Sequence, residues 1–206
     1  MEIKKATKLD DNIRGEISQL FVDAFGKDIF AQILKMKNGR ESLIAASAHM
    51  FALEHAYLAL IDGEPAGIVA CVPQNGAFIK IRKREFIKHF GLITGFMIAY
   101  QFGRAFKSPL SKIPDAQATS KTATIELVAT NEQYRGKGIA TSLLNYVHAL
   151  PEYDSYVLEV FDTNTNAYEL YKRLGYKEIH RQKASKLAQK GLGLNYFLYL
   201  KYTQNS

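Results

Sequence analysis

The sequence predicts an α/β protein in which about seven strands alternate with helices, and three stretches predict it. Ile125 to Val147 reads as an apolar strand, a loop with two glycines, and a helix bearing Ile139, Leu143, Leu144 and Val147 at helical spacing. Tyr156 to Tyr176 repeats that order: the strand Tyr156-Val157-Leu158-Glu159-Val160 feeds a helix with Ala167, Leu170, Tyr171 and Leu174 on one face. Ala56 to Ile61 and Ala66 to Val72 are two further strands, joined by Asp62-Gly63-Glu64-Pro65, whose Asp-Gly pair signals a hairpin.

The remaining elements follow in order. Asp10-Asp11 can cap a helix through about Phe25, with Ile13, Ile17, Leu20, Phe21 and Ala24 on one face and Gly26 past its end. Helices are expected from about Ile29 to Met36 and from Glu41 to Leu53. Arg84 to Lys107 has a broad apolar side (Phe86, Ile87, Phe90, Ile93, Phe96, Met97, Tyr100, Phe106), and Gly91, Gly95 and Gly103 interrupt it, which predicts two short helices. Ser108 to Lys121, with two prolines, predicts a mobile loop. Thr122 to Thr130 is the fourth strand; the helix after it, Gly138 to Leu150, is stopped by Pro151. Tyr156 to Phe161, the helix Asn164 to Leu174 ended by Gly175, and a strand Tyr176 to His180 follow. A short helix from Gln182 to Lys190 and a strand from Asn195 to Tyr202 complete the chain.

Composition bounds the partners. The chain of 206 residues suits one domain spanning 1–206, with an insertion at about 73–121. A hydrophobic fraction of 47% supports a packed core and argues against disorder. The single cysteine, Cys71, excludes an internal disulfide and a cysteine-rich metal site, and its apolar surroundings read as a buried thiol. The five histidines show no ligand spacing, so no metal is expected. MEIKKATKLDD lacks the apolar core of a signal peptide, and no apolar run reaches the roughly 18 residues of a membrane span. The expectation is a cytoplasmic protein without a membrane span. A formal net charge of +7 suits nucleic acid or a polyanionic cofactor. Lys80, Arg82, Lys83, Arg84, Lys88, Arg104, Lys107 and Lys112 stand against Glu85 alone over residues 80 to 112, so one segment supplies most of the excess.

The loop Arg135-Gly136-Lys137-Gly138 opens a helix. First-turn N–H groups lack intrahelical acceptors and the helix dipole adds positive charge there, so the unit can hold an anion. It is no P-loop, because Gly136 and Gly138 are too close together and no Ser or Thr follows a second Gly-Lys; a dinucleotide fingerprint needs a third glycine. What remains is Arg135-x-x-Gly138-x-Ala140, which resembles motif A of the GNAT superfamily of N-acetyltransferases. Asn164-x-x-Ala167-x-x-Leu170-Tyr171-x-x-x-Gly175-Tyr176 resembles that family's motif B. The resemblance covers about Ile125 to Lys177 closely and the flanks by order of elements.

The resemblance implies a mixed, mostly antiparallel sheet that begins with a strand at Glu2 to Ala6, with the insertion between strands three and four. It implies acetyl-CoA as co-substrate, its pyrophosphate on Arg135, Gly136, Lys137, Gly138, Ile139, Ala140 and Thr141. Strands four and five would splay after a bulge, with Val128, Ala129 and Thr130 beside the pantetheine and a backbone amide near them meeting the thioester oxygen. Asn164 and Ala167 would contact the pantetheine from motif B; for Asn164 a helix cap is the competing role, and both can hold. Acyl transfer to an amine also needs a base for the amine and an acid for the leaving thiolate. The resemblance offers Glu126 as base through water and Tyr171 as acid; a plain strand carboxylate and a packed aromatic are the competing readings. The acceptor would be a primary amine of a small molecule or peptide.

Two rival functions are a non-catalytic acyl-CoA-binding module of the same fold and a nucleic-acid-binding protein that uses the basic 80 to 112 segment. The latter is disfavoured. For the insertion, packing beside the acceptor site ranks first, a homodimer contact second and a membrane surface third.

Overall fold

The computed structural model describes residues 1–74, 76–105, 113 and 121–204. Seven strands form one sheet: β1 (Glu2–Lys5), β2 (Ala56–Ile61), β3 (Glu64–Pro73), β4 (Thr122–Thr130), β5 (Ser155–Phe161), β6 (Lys177–Lys183) and β7 (Tyr196–Thr203). Their spatial order is β1-β2-β3-β4-β5-β7-β6. Among the described strands only β4 and β5 pair in parallel. The β2–β3 hairpin turns at Asp62 (φ 52°) and Gly63 (φ 87°), the two left-handed residues that a tight hairpin twist requires.

One face of the sheet carries α1 (Ile13–Ile29), α2 (Ala31–Leu34), α3 (Gly39–Ser47) and the inserted pair α4 (Lys83–Phe90) and α5 (Leu92–Ala105). The periodic residues of α1 are the ones buried: Ile13, Ile17, Leu20 and Phe21 meet Leu58, Ile68, Val72 and Leu127. Phe21 lies 5.4 Å from Phe51, and Phe30 stacks on Phe102 of the insertion at 4.4 Å. The insertion therefore completes this core. The opposite face is covered by α6 (Ile139–His148) and α7 (Thr165–Arg173), whose Leu143, Leu144, Val147 and Tyr171 pack with Val69, Ile125, Tyr156 and Leu158. Cys71 is buried there, and burial pushes its thiol up to about 12, as expected of an inert structural cysteine. A short α8 (Lys186–Leu192) precedes β7, capped by the Ser185 hydroxyl, which accepts from Ala188 N–H.

Some boundaries differ from those the sequence predicts. The third helix stops at Ser47, because Ser47 Oγ donates back to Leu43 O at 2.6 Å and the chain then turns to set Phe51 beside Ile79. The sixth strand starts at Lys177 and runs on to Lys183, because β7 offers it a longer ladder. The insertion does form two helices, broken at Gly91 (φ 79°). Gly95 is inside α5 because α4 crosses there: a Cβ would stand 2.4 Å from Phe86 O. The expected apolar side is only half right. Phe86, Ile98, Ala99 and Phe102 face the core, while Ile93, Phe96, Met97 and Tyr100 face outward. Phe106, Lys107, Lys112 and most of the Ser108 to Lys121 loop lie outside the described residues.

A candidate active site in the split between two strands

β4 and β5 pair over four rungs only, from Thr122↔Ser155 to Ile125↔Leu158. Beyond them β4 runs on to Thr130 and β5 to Phe161 without pairing. The cause is local. Along the β3 ladder Ala70 faces Leu127 while Cys71 faces Ile125, so Glu126 is an extra, bulged residue. A bulge bends its strand and reverses which face later side chains take. Accordingly Ala123 and Ile125 join the core under α6 and α7, whereas Leu127 and Ala129 join the core under α1. The wedge between the strands leaves the β4 edge from Glu126 to Thr130 without a neighbouring strand on the β5 side.

Motif A closes one end of the wedge. Gly138 (φ 80°) caps α6 in the left-handed conformation, and Gly136 (φ 75°) takes the same region two residues earlier. Neither has an atom within 4 Å of where a Cβ would stand, so open space lies against the backbone at both positions. Ile139, Ala140 and Thr141 form the first turn, whose N–H groups have no acceptor within the helix. Lys137 Nζ lies over the Tyr134 ring at 5.1 Å, and exposed Arg135 is 3.8 Å from Glu132. These contacts are weak and solvent-screened, so both cations are free to turn toward an anion. Loop shape, amide supply and charge all fit a pyrophosphate. The Ile139 and Ala129 side chains are buried in the two cores, which leaves their backbone groups for any ligand contact.

Glu126 lies on the α1 face of the sheet and Tyr171 in the core on the opposite face. The half-buried Glu126 carboxylate accepts from Phe78 N–H at 2.9 Å, and Ile79 N–H also favours its charge. Desolvation outweighs both amides and raises its pKa. Tyr171 is buried on the inner face of α7, its ring 5.6 Å from that of Tyr176, and burial raises its pKa well above 10, so the hydroxyl stays protonated. Asn164 Oδ1 accepts from Ala167 N–H at 3.2 Å and so caps α7, leaving its amide NH2 for other partners.

The spacing of the chain does not reveal Glu159, which the sheet places one residue beyond the last β4–β5 rung. It alternates with Leu158, so it projects to the same face as Glu126. Its pKa is raised by burial. Opposite it on β7, the buried Tyr199 hydroxyl lies beside the carboxylate and favours its charge, which burial outweighs. A lone glutamate in an otherwise apolar strand was the available signal. Near the segment that holds Glu126, Ala52 N–H donates to Phe78 O and Lys80 N–H to Met50 O. A cavity of about 730 Å³ opens there, lined by Arg14, His49, Glu54, Lys80, Arg82 and Arg84 among others.

A family model described as "Acetyltransferase (GNAT) family" matches residues 27–176. No curated protein of similar sequence is found. Many solved structures share the fold. An N-acetyltransferase from Staphylococcus aureus Mu50 is 16% identical with a TM-score of 0.61, covering 98% of this chain and 100% of that one. A putative arylalkylamine N-acetyltransferase 7 from the yellow fever mosquito Aedes aegypti is 14% identical with a TM-score of 0.60, covering 98% and 86%. The ribosomal-protein-S18-alanine N-acetyltransferase from Escherichia coli is 11% identical with a TM-score of 0.53, covering 100% and 94%. At these identities the likeness is one of fold.

Proposed function

The chain belongs to the GNAT acetyltransferase family, and on that premise we propose that it transfers an acetyl group from acetyl-CoA directly to a primary amine of a small molecule or peptide in the cytoplasm. The observation that carries this reading is the wedge opened by the Glu126 bulge, with the Gly136–Gly138 loop at its end. The amides from Gly136 to Thr141, with Arg135 and Lys137, hold the pyrophosphate. The free β4 edge at Val128 to Thr130 receives the pantetheine, with Asn164 and Ala167 across from it.

A primary alkylamine has a pKa of about 10.4, so it arrives charged and unreactive. Glu126 takes its proton through water, and its raised pKa brings it nearer the working pH of a base. The nitrogen then bonds to the acetyl carbon as the C–S bond breaks. Tyr171 gives its proton to the departing sulfur. Its high pKa suits the donor role, since the group is protonated at every neutral pH. Two of the structural neighbours are named for a small arylalkylamine and a protein alanine, which supports an amine acceptor without choosing between the two.

The test has two steps. Calorimetry should detect acetyl-CoA binding, and a panel of primary amines and peptides should then release free thiol above the rate with acetyl-CoA alone. Tight acetyl-CoA binding with no amine-dependent thiol release would instead favour the non-catalytic module.

A further inference from the structure

The outward face of α5 is anomalous for a water-soluble surface. Leu92, Ile93, Phe96 and Met97 are 73%, 76%, 50% and 55% exposed, and Tyr100 is exposed as well. Ile93, Phe96, Met97 and Tyr100 stand at i, i+3, i+4 and i+7, one continuous stripe. The described residues include only three other exposed large apolar side chains, Met1, Met36 and Tyr146, and these are scattered. Scattered apolar residues are ordinary, but a contiguous stripe marks a contact surface. The helix has already spent its inner side on the core through Ile98, Ala99 and Phe102.

The rim of the stripe is cationic. α4 presents exposed Lys83, Arg84 and Lys88 with one acid, the half-buried Glu85. Lys83 Nζ lies over the Phe96 ring at 5.6 Å, so charge and apolar surface touch. No described helix is long and apolar enough to cross a membrane. An apolar helical face edged by lysine and arginine, with aromatic residues at its margin, matches a helix that lies in a lipid headgroup layer.

From this we infer that the outward face of α5, with the basic rim of α4, docks on a membrane surface bearing anionic lipid headgroups. Charge disfavours a second copy of the chain as occupant. A two-fold contact sets identical patches together and so brings the cationic rims near one another. A headgroup layer supplies the opposite charge, and interfacial binding grows with buried apolar area plus attraction to anionic lipid. The docking is independent of the acetyl transfer proposed above and would confine that chemistry to acceptors near a bilayer.

Vesicle co-sedimentation tests it with the full chain. Wild type should pellet with phosphatidylcholine vesicles containing about a third phosphatidylserine and stay in solution with phosphatidylcholine alone. The double variant Ile93→Glu, Phe96→Glu should lose at least about tenfold in partition coefficient. Lys83→Glu, Lys88→Glu should weaken binding most at low salt, where screening is least. Unchanged acetyl-CoA affinity by calorimetry certifies that the variants fold. Three outcomes overturn the inference: wild type left in solution with anionic vesicles, a double variant that pellets equally well, or lipid-free self-association through this face in sedimentation velocity.

Discussion

On the proposed mechanism Glu126 and Tyr171 act from opposite faces of the sheet, so their variants should fail differently. Tyr171→Phe should cut turnover about tenfold to a thousandfold with little change in acetyl-CoA affinity, because the hydroxyl acts on the leaving group. Glu126→Gln should cost most at low pH, where the amine is most protonated, and recover as pH rises. Steady-state kinetics across pH separates the two. Glu159 has a different signature. Burial raises its pKa in the folded protein, so the folded state keeps the proton to higher pH than the unfolded chain. Its contribution therefore turns unfavourable as pH rises through that window, and Glu159→Gln should raise the melting temperature at pH 7 but not at pH 4. His148 has the opposite sign. It is buried against Tyr202 at 4.1 Å, with Nε2 2.8 Å from the Tyr176 hydroxyl, and burial lowers its pKa to about 4. The unfolded chain takes up the proton near pH 6.5, so stability is lost as pH falls from about 6.5 to about 4, by roughly 3 kcal/mol at most. His148→Phe should flatten that acid limb in thermal melts.

At the scale of the element, the loop before α6 is the part most sensitive to substitution. Gly138→Asp would force a side chain into a left-handed position (φ 80°) and set a negative charge at a helix N-terminus that is to receive a pyrophosphate. Acetyl-CoA affinity should fall at least tenfold, about 1.4 kcal/mol, by calorimetry. The inserted helices show a contrast between their two sides. Phe102→Ala removes a ring stacked on Phe30 and packed 5.0 Å from Phe86, and should cost about 3–5 kcal/mol in denaturant unfolding. Met97→Ser, on the outward side, should stay within about 0.5 kcal/mol.

Among the described residues the molecule is one sheet with a large core on each face and a small third cluster of Ile113, Val157 and Tyr199. Under α1 to α5 the core extends over β2, β3 and the far half of β4; under α6 and α7 it extends from β2 across to β5 and β7. The insertion belongs to the first of these. Replacing residues 82 to 107 by a Gly-Ser linker would strip Phe86, Ile98 and Phe102 from it, so that variant should lose cooperative thermal unfolding. A detachable lid would leave the melt unchanged.

Local sequence was sufficient wherever function depends on backbone spacing. Arg135 to Ala140 and Asn164 to Tyr176 each specify a turn, a cap and a helix within a dozen residues, and short-range sterics decide those whatever packs on them. The hairpin at Asp62-Gly63 and the break at Gly91 were legible for the same reason. Which face a side chain takes was not. Leu127 and Ala129 turn to the α1 face, the same face as Glu126, only because the register slips by one against Ala70 and Cys71, a long-range pairing that no local pattern encodes. Glu159 reaches the mouth of the wedge only because β5 stops pairing at Leu158. In the insertion the periodicity predicted helices correctly, yet a helix with apolar residues on most of its surface does not declare which of them go inside. The close crossing at Gly95 decided that: it turned Phe102 into the core and left Ile93 and Phe96 facing outward.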